Sequence, residues 1–210
     1  MLRLVLVIGL VVAVAVALAA RAWVNERRRR EAFPASSALA LLNPARRFIQ
    51  SAPDTVRAFG LQPGDIALEI GPGPGYFTPS ATAAVQPGGR LVCLDLQHEM
   101  LTMLRERLVE QMSGIDLVIG EAGHLPFRGG GIDSAFLAGV LGEVPDEQSA
   151  VGEIGRVLRP GGTVSFSETM NDPDYVRLPV MRQMCRTAGL DALDWRRQKL
   201  GYIARFRRPR

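Results

Sequence analysis

An α/β fold, with a mostly parallel sheet closed by an antiparallel hairpin, is what this sequence predicts. Three observations carry it. Short apolar runs alternate with amphipathic stretches along residues 43–190, the pattern of parallel strands joined by right-handed helical crossovers. The first run ends in the glycine-rich turn "EIGPGPGYFT", and glycines so placed let the backbone turn and let something approach it closely. The last two runs are separated only by a turn, too little for the crossover a parallel pair needs.

The elements follow in order. "NPARRFIQSAPDTVRAFGL" (43–61) reads as one or two amphipathic helices interrupted at Pro53, and "DIALEI" (65–70) as the first strand. A helix from about Phe77 to Val85 is stopped by the "QPGG" turn. "RLVCLD" (90–95) is a strand ending in an acid, and residues 98–112 are helical, with apolar positions 100, 101, 104 and 108 on one face. "IDLVIG" (115–120) and "GIDSAFLAGVL" (131–141) are strands, the second running into a loop. A helix over 146–158 is capped by Asp146 and stopped at Pro160–Gly162, ahead of the strand "TVSFSE" (163–168). A helix from Pro179 to about residue 190 precedes two weaker strands, 192–198 and 202–206.

Composition narrows the class. The chain has 210 residues, enough for one domain with a full core, and its hydrophobic fraction of 47% is globular. Cys93 and Cys185 form no disulfide framework, and His98 and His124 form no metal-ligand spacing. The net charge of +4 is unevenly placed: residues 1–30 carry six arginines and one glutamate, residues 201–210 carry four arginines, and residues 31–200 are net acidic. A nucleic-acid binder carries its positive charge on the folded domain, so that class is disfavoured. Oligomeric state is not readable from the sequence.

Leu4–Ala20 is free of charge, and extending it to Val24 gives a helix of about 31 Å at ~1.5 Å per residue, close to the apolar thickness of a bilayer. "ALA" at Ala17–Ala19 fits a cleavable signal peptide. Arg27–Arg30, just beyond the run, resist translocation and favour an uncleaved anchor with the rest of the chain cytoplasmic; a helix only embedded in the bilayer is the other possibility. The expected organisation is a membrane anchor over 1–25, a basic linker over 26–38 and a single domain over 39–210. The Arg-rich ends could also meet anionic lipid.

In an open α/β sheet, ligands bind beyond the carboxyl ends of the strands. There the sequence places Glu69, Gly71, Pro72, Gly73 and Gly75 after strand one, Asp95 after strand two, Glu121 and Ala122 after strand three, and "AGVLGEV" after strand four. An acid at the end of strand two suits a ribose diol, so a nucleoside ligand is expected. The dinucleotide fingerprint would need glycine where Tyr76 stands, and no phosphate-binding G-K-[ST] follows. An acid at 69 would repel a pyrophosphate and suit an ammonium group.

These segments resemble class I S-adenosylmethionine-dependent methyltransferases, in the small-molecule, quinone-biosynthesis-like type 11 branch. "LEIGPGPGYFT" resembles their first motif, "LVCLDLQHEML" the region of their ribose-binding acid, "GEAGHLPF" their adenine-contacting turn, and "EIGRVLRPGGTVSFSE" the end of their core. Four collinear motifs cover about residues 43–170. The resemblance implies a Rossmann-like, mostly parallel seven-stranded sheet and S-adenosylmethionine as cofactor. It implies that Glu69 holds or orients the methionine end through the glycine loop, that Gly71 and Gly73 pack against the cofactor, and that Asp95 takes the ribose hydroxyls. Leu96 would lie against the adenine, Glu121 would receive its amino group, the Ala122 N–H would approach a ring nitrogen, and Val140 and Leu141 would line the wall near the methyl. Glu stands at 69 and 121 where Asp is commoner, which moves each carboxylate by one methylene.

For the acceptor, Glu143, Glu168, Asp172 and Tyr175 follow strands four and five, where acceptor pockets form, and are substrate candidates. His124 reads as a solvated loop residue, and no residue declares itself a catalytic base. That absence favours an acceptor atom acidic enough to react without one, and the anchor favours an apolar or membrane-dissolved small molecule. The alternative is a membrane-tethered, non-catalytic scaffold that retains the fold.

Overall fold

The computed structural model describes residues 32–210. The seven strands form one sheet, in the order β3-β2-β1-β4-β5-β7-β6. They are β1 (Ile66–Ile70), β2 (Arg90–Asp95), β3 (Ile115–Ile119), β4 (Ile132–Ala138), β5 (Leu158–Thr169), β6 (Asp191–Gln198) and β7 (Gly201–Arg207). All neighbours pair in parallel except β5–β7 and β6–β7. The predicted class and closing hairpin are therefore present. The hairpin is inserted so that the last strand, β7, separates β5 from β6.

The helices are α1 (Arg46–Ile49), α2 (Ala52–Phe59), α3 (Thr78–Val85), α4 (His98–Arg107), α5 (Glu147–Val157) and α6 (Leu178–Thr187). Alternation along β1 feeds two cores. Leu68 and Ile70 join Ile154 and Val157 of α5 and Met181 and Met184 of α6, while Ala67 joins Phe59 of α2, Val85 of α3 and Leu104 of α4. With helices on both faces, the ends of the strands are left to form the site.

Several boundaries differ from expectation. Residues 43–61 do form two helices, but the break falls at Gln50–Ser51, and Pro53 sits in the first turn of α2, where its missing N–H costs nothing. Asp146 caps α5 as predicted, accepting from the Ser149 N–H over 2.9 Å. Pro160–Gly162 does not precede β5; it lies inside it. The turn is absorbed as a register shift against β4 between Ile132 and Ser134, and the Gly161 N–H pairs with the Arg208 carbonyl at 2.9 Å.

The expected anchor over 1–25 lies outside the described residues, and among the described residues no helix is long and apolar enough to cross a membrane. The expected linker over 26–38 needs correction at its far end. A 3-10 helix spans Ala35–Leu42 with Ala38 buried, and the Phe33 N–H donates to Glu143 Oε2 over 2.9 Å. From Phe33 onward the chain is docked on the domain, because its backbone finds partners there that a free linker lacks.

Candidate active site

The glycine loop leaves β1 and enters α3. Gly71 has φ +68°, and a Cβ there would lie 2.6 Å from Val140 Cγ2, so the loop after β4 packs directly on it. The loop is held from both sides. Asp95, buried at the end of β2, accepts the Gly73 N–H on Oδ2 over 3.2 Å and the Gln97 N–H on Oδ1 over 2.9 Å. From α4, the Arg107 guanidinium donates to the carbonyls of Pro74 and Gly75.

Glu69 is buried beneath α3, where Thr78 Oγ1 donates to its Oε2 over 2.8 Å and the Cys93 thiol approaches at 3.6 Å. Burial pushes its carboxyl up to about 7. The Thr78 bond ties the carboxylate to the end of the glycine loop. Burial also raises the Asp95 carboxyl, against three backbone N–H groups that pull it down.

The remaining cofactor candidates surround the loop. Pro72, Gly73 and Gly75 are buried, and Leu96 is exposed at the rim. Glu121 is exposed and forms an isolated bridge with His124, itself exposed, while Ala122 packs on the core. A buried acid held by backbone N–H groups on both oxygens is fixed in place and can still accept from a ribose hydroxyl. An exposed apolar residue, Leu96, stands next to it. The residues present therefore fit S-adenosylmethionine: Asp95 for the diol, the glycine loop for the methionine side, and Leu96, Glu121 and Ala122 for the base.

The acceptor side carries a different chemistry. Glu143 follows β4 and is raised by burial to about 7. Glu168 at the end of β5 is almost fully enclosed and is raised by burial to about 8. Its Oε2 accepts the Val176 N–H over 3.1 Å, and its Oε1 has no partner among the described residues. Asp172 Oδ2 lies 3.0 Å from where a Cβ on Gly139 would stand, and Oδ1 accepts the Asp174 N–H over 2.9 Å. Tyr175 packs edge-on against Tyr202 at 6.0 Å and lines a small concavity with Asp174 and Val176. Glu143 and Asp172 thus stand at the mouth, while Glu168 is walled in behind them.

Sequence reasoning missed the cover over this site. Leu41 Cδ1 lies 3.4 Å from where a Cβ on Gly73 would stand. Gln97 Nε2 donates to the Phe33 carbonyl over 2.8 Å. Arg46 stacks over Tyr76 at 4.5 Å and donates to Gln50 Oε1 over 3.0 Å. Gln50 is buried and donates to Ser167 Oγ over 2.9 Å. The i, i+4 spacing of Arg46 and Gln50 was the one local signal; Tyr76 lies 30 residues beyond Arg46, and Ser167 lies 117 residues beyond Gln50.

The sheet order and the acid-flanked glycine loop are those of the fold that class I S-adenosylmethionine-dependent methyltransferases share. A family described as "Methyltransferase domain", the type 11 branch, matches residues 68–166, a little under half of the chain. Over 129 residues it is 34% identical to a demethylmenaquinone methyltransferase of Staphylococcus aureus, covering 61% of this chain and 52% of that protein. Over 123 residues it is 36% identical to a 37.1 kDa protein of transposon TN4556 from Streptomyces fradiae, covering 59% of this chain and 34% of that one. The chain thus spans about a third to a half of the length of these curated relatives. Among solved structures, a SAM-dependent methyltransferase from Aquifex aeolicus superposes with a TM-score of 0.78 at 19% identity, over 84% of this chain and 99% of that one, which concerns the fold.

Proposed function

We propose that this protein transfers a methyl group from S-adenosylmethionine to a small, apolar or membrane-dissolved acceptor. The observation that carries this is the Asp95 carboxylate bonded to the Gly73 N–H, which joins a diol-binding acid to the glycine loop in one unit. When bound, the cofactor supplies a methyl group already activated by its positive sulfur. What the chain adds is mainly alignment, which is worth up to ~7–11 kcal/mol of a bimolecular barrier.

Each side chain then has a task. Arg107 and the Glu69–Thr78 pair fix the loop. Val140 packs on Gly71 and shapes the wall between the two halves. Glu143, with a carboxyl near 7, is suited to take a proton from an acceptor that carries one. Glu168, near 8, keeps its own proton at neutral pH. The cover formed by residues 33–50 keeps water from the loop.

The acceptor class rests on two supports. The Staphylococcus relative is named for a demethylated quinone, and the apolar run Leu4–Ala20 with the Arg27–Arg30 flank suits a single-pass anchor that leaves the domain cytoplasmic. The test is to incubate the full chain with methyl-labelled S-adenosylmethionine and separate membrane and soluble extracts. Label entering a solvent-extractable small molecule is expected. Cofactor binding with no label transferred from either extract would instead favour the non-catalytic scaffold.

A further inference from the structure

The end of the sheet that carries the glycine loop also carries a rim with no task in methyl transfer. β7 is antiparallel to both β5 and β6, so β6 runs in the same direction as β1, β4 and β5. The β6–β7 turn, Lys199–Leu200, therefore emerges at the same end as the loops after β1, β2 and β4. Met170, just past β5, donates its N–H to the Leu200 carbonyl over 2.8 Å. α1 joins them, since the Lys199 ammonium donates to the Phe48 carbonyl over 2.8 Å.

This junction exposes apolar surface. Phe48 is 63% exposed, Met170 56%, and Ile49 and Leu200 38% each. Cations interleave with it. The Arg47 guanidinium stands 4.9 Å from the Phe48 ring, and Arg47, Arg196 and Lys199 share with Phe48 and Ile49 one concavity of about 340 Å³. The acid at its edge, Asp54, is paired with Arg57 at 2.9 Å. Exposed apolar side chains scattered singly mean little. Here four, from three segments far apart in sequence, converge among cations.

Aromatic and aliphatic side chains flanked by Lys and Arg match an anionic bilayer: the cations meet phosphate headgroups while the apolar groups enter the interface. The chain itself favours lipid over a protein partner. The uncharged run Leu4–Ala20, its extension to Val24 and the basic run Arg27–Arg30 precede Phe33 closely, and Phe33 is fixed at this same end by Glu143 and Gln97. Eight residues lie between Val24 and Phe33, and the nine steps of chain, fully extended, reach at most about 32 Å. A bilayer holding the apolar run therefore lies within reach of this rim.

We propose that the rim formed by Phe48, Ile49, Met170 and Leu200, with Arg47, Arg196 and Lys199, docks on an anionic bilayer and lays the mouth of the site against the membrane. The inference concerns how the domain is oriented, and it stands whether or not methyl transfer is the reaction.

A position-specific probe tests it. Cys93 and Cys185 are buried, so an environment-sensitive fluorophore on Phe48→Cys of the full chain reports that position. A second variant, Val109→Cys, reports an exposed site beyond the end of α4, at the opposite end of the sheet. Each is mixed with phosphatidylcholine vesicles with or without phosphatidylglycerol, and flotation measures how much chain is bound. The expected result is a blue shift at position 48 on phosphatidylglycerol vesicles, none at 109, and a several-fold smaller shift at 48 when Arg47→Glu and Lys199→Glu are added. No shift at 48 in floated protein overturns the proposal, as does an equal shift at both positions or a shift unaffected by the charge reversals.

Discussion

The two halves of the site are built in opposite ways. The cofactor half draws mainly on residues 69–107, with Glu121 and Ala122 beyond them, and its loop is joined by bonds that span a few tens of residues: Asp95 to Gly73, Arg107 to Pro74, Thr78 to Glu69. Much of what it offers a ligand is backbone. The acceptor half is assembled from side chains far apart in the chain, with Phe33 bonded to Glu143 and Gln50 to Ser167. The first half can be written as a motif, whereas the second exists only once the sheet has closed. Conserving a cofactor and varying an acceptor is easy on such a plan, since the two sets of residues meet at few places: Gln97 on the Phe33 carbonyl, Leu41 against Gly73 and, most tightly, Val140 against Gly71.

That contact is the place to break the comparison most severely. Gly71→Ala puts a methyl group 2.6 Å from Val140 Cγ2, on a backbone with φ +68° that costs an L-residue roughly 1–2 kcal/mol. Cofactor binding should weaken at least tenfold, and calorimetry reads this directly. Adding Val140→Ala should recover part of the loss, because it removes the collision and leaves the backbone strain. A full recovery would mean that the glycine matters only for space.

Arg46→Met sharpens the contrast from the other side. It removes the stacking on Tyr76 and the bonds to Gln50 and the Leu41 carbonyl while keeping most of the apolar bulk. Amide exchange over residues 33–50 should accelerate several-fold, with cofactor affinity changing less than in Gly71→Ala. Equal losses in the two variants would show that the halves are not separable.

The smallest effect expected is on stability against pH. Burial raises Glu69 and Glu143 to about 7 and Glu168 to about 8, from ordinary values of 4.5. Between those limits the native state holds more protons than the unfolded chain, so stability falls as pH rises from about 4.5 to about 8. The melting temperature should therefore drop between pH 6 and pH 8. Glu168→Gln should flatten that slope and melt higher at pH 8, by about 2–4 °C for each kcal/mol recovered. A steeper slope in the variant would contradict the assignment.

What could be read in the sequence follows the same division. The strands, the Asp146 cap and the glycine loop are local patterns and stand within a few residues of where they were expected. The docking of Phe33 and the burial of Gln50 are not local: "FPASSA" carries turn and linker residues, and nothing in it announces that its backbone will meet Glu143. Glu69 was legible as an acid beside the glycine loop, but its bond to Thr78 was not, because Thr78 looked like an ordinary helix start. Glu143 and Glu168 were legible only as acids after strands; their raised protonation comes from burial that the tertiary fold creates.

The most direct test of the account is calorimetric binding of S-adenosylmethionine to the full chain and to Asp95→Ala, with NADH as a control. Binding to the native chain, weakened about a hundredfold or more by loss of a carboxylate whose charged hydrogen bonds are worth roughly 1.5–3 kcal/mol each, and no binding of NADH, is the result predicted. A folded native chain that ignores S-adenosylmethionine, or an Asp95→Ala variant that binds it undiminished, would contradict the role given to the loop and its acid.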